Sequence, residues 1–239
     1  ARTYTKISVE SFYKDYRNYP FLVNRGISLA NVPADFGVLG NEEANANSRG
    51  EAYGVEVILQ QKLSKRWYGI LSYTWVRSFF AGQGKELLPS AWDNQHILNV
   101  TAGLRLPRDC ELGFRLRYLG GAPFTPYDRE TSLRKENWDV SQQGLLDYSM
   151  LNSQRLPSAY GLDIRIDKTY CFKKWSLNTY LDIQNVTNAQ VVAQPFLDVQ
   201  RDAEGRPIEN PNNPNAYLGR NIENTSGTLL PSIGVMVEF

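Results

Sequence analysis

The chain has 239 residues and carries 26 Lys and Arg against 25 Asp and Glu, so it offers nucleic acid no excess of cations. No apolar run approaches the ~20 residues that a membrane helix requires, which excludes a helical membrane protein; it does not exclude a β-barrel, whose strands cross with ~9–11 residues. Rings are abundant (14 Tyr, 5 Trp, 10 Phe) and Met is scarce (2), a balance suited to pleated surfaces.

Alternation with period two predicts eight strands. The amino terminus, ARTYTK, holds no signal peptide and enters strand-like sequence by Thr3, as a mature protein or a piece of a longer one would. The first strand alternates Thr5, Ile7, Val9, Ser11 and Tyr13 with Lys6, Ser8, Glu10, Phe12 and Lys14. The second sets Tyr53, Val55, Val57, Leu59 and Leu63 against Gly54, Glu56, Gln60 and Lys62, and the third Trp67, Leu71, Tyr73 and Trp75 against Ser72 and Thr74. The fourth carries Leu98, Val100, Ala102, Leu104 and Leu106, the fifth Leu112, Phe114, Leu116 and Tyr118, the sixth Tyr160, Leu162, Ile164 and Ile166. The seventh runs Trp175, Leu177, Thr179, Leu181 and Ile183. The eighth begins near Thr228 and ends the chain on Ile233, Val235, Val237 and Phe239.

Between these strands, short and long connections alternate. Ser64-Lys65-Arg66, Pro107-Arg108-Asp109 and Lys173-Lys174 are tight turns, whereas 20–49, 79–95, 120–158 and 189–227 are long polar excursions. In an up-and-down sheet this puts every short turn at one end and every long loop at the other, the pattern of outer-membrane barrels. A soluble sandwich need not sort its loops by length. It would bury Leu98, Leu116 and Ile164 between two layers.

The aromatics sort likewise. Trp67, Trp175, Phe172 and Phe239 lie beside short turns, and Tyr13, Tyr53, Tyr73, Trp75, Tyr118 and Tyr160 toward the long loops, as rings at two membrane interfaces would. Lipid offers no hydrogen bonds, so the opposite face should line a lumen. Its charged members are headed by Arg115, Arg117, Asp163, Arg165, Asp167 and Asp182, which should pair across strands as structure rather than form a binding site. An eight-stranded barrel is only just wide enough inside for side chains, and so many long charged groups suit a slice of a wider one.

Catalytic and cofactor chemistry is hard to place. The chain has a single His, His96, and Asp93-x-x-His96 at a loop–strand junction reads as hydrogen bonding. Gly82-Gln83-Gly84 and Gly120-Gly121 precede no helix, so no phosphate loop is expected. No catalytic, cofactor or metal residue is therefore assigned. Cys110 falls on the apolar face and Cys171 on the polar one, which disfavours a disulfide. Trp92, Tyr127, Trp138, Tyr148 and Tyr217 sit in long loops, where they either recognise a ligand or pack the loops together. The Asn/Pro-rich stretch 207–221 reads as an exposed, mobile loop.

The run SAYGLDIRIDKTYCFKKWSLNTYLDIQNVTN resembles the penultimate hairpin of TonB-dependent outer-membrane receptors, particularly those of the Bacteroidetes. Asp163, Arg165, Asp182, Asn185 and Asn188 match the pattern's polar positions. EAYGVEVILQQKLSKRWYGILSYTW is similar to another hairpin of that family, with Gly54 and Glu56 in its G-x-E, and WDNQHILNV supplies Asp93, His96 and Asn99 in a D-x-x-H-x-x-N pattern. The resemblance implies that residues 1–239 are the C-terminal part of a 22-stranded barrel with a plugged lumen. The signal peptide, plug and earlier strands would be absent, and the chain alone would not transport. It further implies a non-enzymatic receptor for nutrient uptake in the Gram-negative outer membrane. Its partners would be outer-membrane lipid, the TonB complex through the missing plug, and in some relatives a surface lipoprotein. In this family Ile233, Val235, Val237 and Phe239 form the terminal signal read by the outer-membrane assembly machinery. The alternatives are a self-contained eight-stranded barrel with an adhesive or structural role, and an outer-membrane enzyme.

Overall fold

The computed structural model describes residues 4–32, 40, 42–81 and 86–239; Thr3 and Gly82-Gln83-Gly84 lie outside them. Eight long strands form one antiparallel sheet: β1 (Thr5–Leu22), β2 (Ala44–Ser64), β3 (Trp67–Ala81), β4 (Gln95–Leu106), β5 (Cys110–Leu119), β6 (Ala159–Cys171), β7 (Ser176–Gln184) and β8 (Leu230–Glu238). Each pairs with its neighbour in the chain; β1 and β8 are the outermost long strands, and two short strands join the same sheet at the loop end, Ile27–Ser28 on the outer side of β1 at Phe21–Leu22 and Leu87–Pro89 on β3. Three connections are tight. In the three-residue β4–β5 turn, Pro107-Arg108-Asp109, both Arg108 (φ 63°) and Asp109 (φ 56°) take left-handed backbone, which reverses the chain within three residues. The β6–β7 turn closes through the Phe172 N–H to the Trp175 carbonyl at 2.9 Å.

The register carries the alternation unbroken across the sheet. Ile7, Leu59, Leu71, Val100, Leu116 and Leu162 lie in one cross-strand row, and Trp67, Leu104, Leu112, Ile166, Leu181 and Ile233 in another. Rows of this kind make one face almost wholly apolar. Among the described residues no second layer covers it: Leu98, Leu116 and Ile164 are only partly buried, and Ile7, Val9 and Ile233 are 68%, 65% and 82% exposed. The accessible surface is 15586 Å², against about 10,900 Å² for a compact soluble protein of this mass. A face this large and this greasy is stable only against hydrocarbon or another protein.

Two aromatic girdles bound it. Near the turns stand Trp67 and the Phe172–Trp175 stack (centroids 4.1 Å apart). Near the loops stand Tyr53 and Trp75, and the cross-strand neighbours Tyr118 and Tyr160. Trp67 and Trp75 are eight residues apart on one strand, about 26 Å along it and roughly 20 Å along the membrane normal at the usual tilt, close to the height of an outer-membrane apolar band.

Two expectations are corrected. β1 and β2 run far beyond the apolar band, to Leu22 and from Ala44, where loop had been expected. Without lipid on one side, their alternation is no longer apolar against polar. The long connections are also built rather than structureless. Residues 189–227 form a hairpin arm whose pairings are Val191–Val192 with Thr225–Ser226, Phe196–Val199 with Gly219–Ile222, and Glu209–Asn210 with Asn213–Tyr217. The stretch expected to be mobile is the tip of this arm. Residues 120–158 hold α1 (Arg129–Ser132) and α2 (Lys135–Ser141). The buried apolar side chains Leu22, Ile27, Phe80, Trp138, Leu151, Leu197 and Val199 all belong to this loop end.

The parity of the cysteines follows from the register. Cys110 pairs with Lys168 on the apolar face and Cys171 with Ser176 on the polar one, and both are free.

Candidate functional site: polar wall, rim junctions and loop platform

The polar face is organised in two charge clusters. On the turn side Glu111 accepts from the Tyr68 hydroxyl and pairs with Arg105 at 3.4 Å. Arg165 pairs with Asp167 at 2.8 Å, and its guanidinium lies 3.9 Å from the centroid of the Tyr180 ring. Asp182 stands directly across from Arg165 in register.

On the loop side Asp163 is the centre. It is 6% exposed and accepts from Arg115 Nε (2.9 Å), Arg117 Nη2 (3.1 Å) and the backbone N–H of Asn185 (2.9 Å). Asn185 and Asn188 both adopt left-handed backbone, at φ 51° and 49°. This is a conformation that Asn tolerates better than other residues with a side chain. The Asn185 side chain accepts from the Ala189 N–H and donates to the Ala189 carbonyl, both at 2.9 Å, while Asn188 accepts from Leu229 N–H at 3.2 Å. These residues end β7 and launch the hairpin arm. One carboxylate thus ties the arm's base to the polar wall.

Asp93 makes a second junction, with partners other than His96. Fully buried, it accepts from Ser78 N–H (2.9 Å) and Arg77 Nε (3.1 Å) and pairs with Arg155 across the loops. His96 turns instead to the Tyr73 hydroxyl, 2.8 Å from its Nδ1. The roles of Arg77 and Arg155 were not legible in the sequence, because neither lies near Asp93 along the chain.

A third node joins the loops. Asn152 Nδ2 donates to the carbonyls of Asn31 (2.9 Å) and Pro89 (2.8 Å), its N–H donates to Thr125 Oγ1 (3.0 Å), and Gln194 reaches the Thr125 carbonyl at 2.8 Å. All four long connections meet here. Of the loop aromatics, Trp138 is buried inside α2, and Tyr217 donates to Asp139 at 3.0 Å while packing beside Lys135. Tyr127 and Tyr148 are partly buried, and Trp92 is 48% exposed. Burial raises the Tyr127 pKa, and burial with Asp139 raises that of Tyr217. Hydrogen bonds from Thr131 hold the Asp128 carboxyl below the usual range; Asp198 is also held low, because the pull of Arg220 outweighs its burial.

Between platform and wall lies an open recess of roughly 480 Å³, lined by Ile97, Leu119, Ala159, Val191, Leu230 and Arg117. Arg117 is half exposed and shares Asp163 with Arg115, so this spot carries net positive charge. Among the described residues no three metal-ligating side chains cluster.

No family model matches the chain, and no curated protein matches it by sequence. Solved structures do. The siderophore receptor PiuA from Acinetobacter baumannii aligns over 98% of this chain with a TM-score of 0.54 and 8% identity. The pyoverdine outer membrane receptor FpvA from Pseudomonas aeruginosa aligns over 99% (TM-score 0.52, 11% identity). The FrpB iron transporter from Neisseria meningitidis aligns over 100% (TM-score 0.52, 14% identity). The chain spans 26%, 27% and 29% of those proteins respectively. At such identities the likeness is one of fold: an antiparallel sheet of the kind that builds outer-membrane receptor barrels.

Proposed function

We propose that this chain is the C-terminal wall of a 22-stranded, TonB-dependent outer-membrane receptor of the Bacteroidetes type, importing a scarce nutrient through a lumen closed by a plug that the chain lacks. The observation that carries this reading is the uncovered apolar face between two girdles, with every long loop at one end. The outer edge of β1, paired only at Phe21–Leu22, and that of β8 are where further strands would join. In this reading the long loops face outward, and Arg115, Arg117, Asp163, Arg165, Asp167 and Asp182 face the lumen. The structures of similar fold are named for siderophores and iron, which makes ferric chelates the first cargo to test. The recess beside Arg117 favours a cargo that presents an anionic oxygen on an apolar body.

The terminal strand serves as the assembly signal. Ile233, Val235 and Val237 lie on the apolar side of the edge strand and Phe239 follows directly after it; the strand's free backbone edge is where another sheet can add. The test is uptake by the intact receptor in cells with and without an energised TonB complex, using a panel of radiolabelled ferric chelates. Uptake that requires both the receptor and TonB supports the reading. A receptor that fractionates away from the outer membrane, or whose deletion leaves uptake of every chelate unchanged, counts against the membrane and cargo parts respectively.

A further inference from the structure

Charge is distributed unevenly along the strand axis. The four long connections hold ten Lys and Arg against fifteen Asp and Glu, whereas the three turns hold Lys65, Arg66, Arg108, Lys173 and Lys174 against Asp109 alone. Pairing is uneven too. In the loops and rim junctions, Arg25, Arg77, Arg134, Lys135, Arg155, Arg206 and Arg220 each sit within 4 Å of a carboxylate, while Arg49, Arg129 and Arg201 do not among the described residues. No carboxylate lies within that distance of Lys62, Lys65, Arg66, Arg108, Lys168, Lys173 or Lys174 among the described residues. The nearby acids are no remedy. Asp109 lies within 4 Å of no described cation, Asp167 is engaged by Arg165, Glu111 by Tyr68 and Arg105, and Glu238 stands across from Ser176 on the polar face.

One of these cations is oddly placed. Lys168 shares the apolar face with Cys110 and Thr179, just inside the girdle, and its Nζ lies 5.3 Å from the Tyr170 ring centroid. A lysine there can bury its stem against hydrocarbon only if its ammonium reaches the interface and finds an anion. Lys173 and Lys174 stand beside the Phe172–Trp175 stack, and Arg108 tops the adjacent turn. Rings at headgroup depth and unpaired cations just beyond them together fit one partner.

We infer that the turn end of β5, β6 and β7 is a binding surface for anionic phospholipid headgroups, with Lys168, Lys173, Lys174 and Arg108 contacting the phosphate and the ring stack holding the acyl boundary. This rests on the membrane reading above, with the turns facing the periplasmic leaflet. The cations and phosphates are of opposite sign and meet where the dielectric is low, so the contacts are charge-assisted.

The experiment uses the full-length receptor in phosphatidylcholine vesicles doped with spin-labelled phosphatidylglycerol or spin-labelled phosphatidylcholine. The motionally restricted fraction should favour phosphatidylglycerol by about fivefold and lose most of that preference in molar salt. It should approach parity in Lys168→Gln/Lys173→Gln/Lys174→Gln/Arg108→Gln. Lys173→Gln/Lys174→Gln alone, confined to an exposed turn, should lose part of the preference and serves if the fuller variant misfolds. Parity in the unaltered protein, or a preference indifferent to these substitutions, overturns the site. A heat-dependent gel shift reports insertion separately: a receptor that does not insert overturns the membrane reading itself.

Discussion

Removing the Asp163 carboxylate should loosen the hairpin arm more than removing either of its arginines. Asp163→Ala strands the Asn185 N–H in a poorly hydrated place, at a cost of about 1–3 kcal/mol. It also deletes two ion pairs whose guanidinium ends are 50% and 51% exposed, which limits each to about 0.2–1 kcal/mol. The total is about 1.5–5 kcal/mol. Asp163→Asn keeps an acceptor for Asn185 and should cost only about 1 kcal/mol. Arg115→Ala and Arg117→Ala should each cost less than about 1 kcal/mol, because the other arginine still holds the carboxylate. The assay is the urea midpoint of the full-length receptor in detergent, run beside trypsin cleavage after Arg201 and Arg220 on the arm. If Asp163→Ala matched Asp163→Asn, the backbone contact would not be the dominant one and the junction argument would fail.

The loops should keep their order in moderate acid. Asp128, Asp198 and Asp202 have folded pKa values below the ordinary carboxylate value, so their contribution is complete above about pH 4 and is lost as pH falls through the lower folded values. Pepsin should therefore spare the arm at about pH 4 and cut it as the pH approaches 2; cutting near pH 5 would contradict this. Gly234→Ala should destabilise by about 1–3 kcal/mol, because a Cβ there enters the Tyr180 ring, and Tyr180→Leu should relieve much of the penalty. A penalty unchanged by Tyr180→Leu would show that the contact is not the cause. Deleting Phe239 from the intact receptor should lower its outer-membrane yield, measured by immunoblot of fractionated membranes; an unchanged yield removes the assembly-signal proposal without touching the fold.

The strands could be read because lipid makes alternation nearly strict: Leu71, Val100 and Leu116 each had one acceptable side, and the register honours it. The loops could not be read, because their order is long-range. Asn213–Tyr217 pairs locally with Glu209–Asn210, but it is also held by the Tyr217 N–H donating to the Leu133 carbonyl and by the Arg134–Ala216 bridge, contacts spanning about eighty residues. The local signal there, Asn210 and Asn213 accepting from N–H groups two residues on, indicates turns and nothing more. The site divides along the same line. Arg115, Arg117 and Asp163 could be placed together from strand parity alone, whereas Asn152 and Arg155 could not be assigned at all. Trp138, one of five aromatics considered for recognition, illustrates the ambiguity: an aromatic in a polar loop looks the same in sequence whether it meets a ligand or fills the gap beside a helix.

The width of the lumen can be argued from how the large polar-face side chains lie. In a closed eight-stranded barrel they would reach inward and fill the interior with one another. Here they fold back onto their own wall. Tyr68 lies over Gly103 on the next strand and Tyr180 over Gly234, each occupying the space a Cβ would need, and Phe12 shares the space over Gly54 with the Trp75 carbonyl. Arg165 flattens further, across the Tyr180 ring rather than toward a distant partner. Glycine under an aromatic is a known device for holding strand curvature and covering exposed backbone. Used three times on one face, it also clears the space in front of that face. A wall that tucks its own rings away leaves that space free, which is what the wide, plugged barrel proposed above requires and a closed eight-stranded one does not.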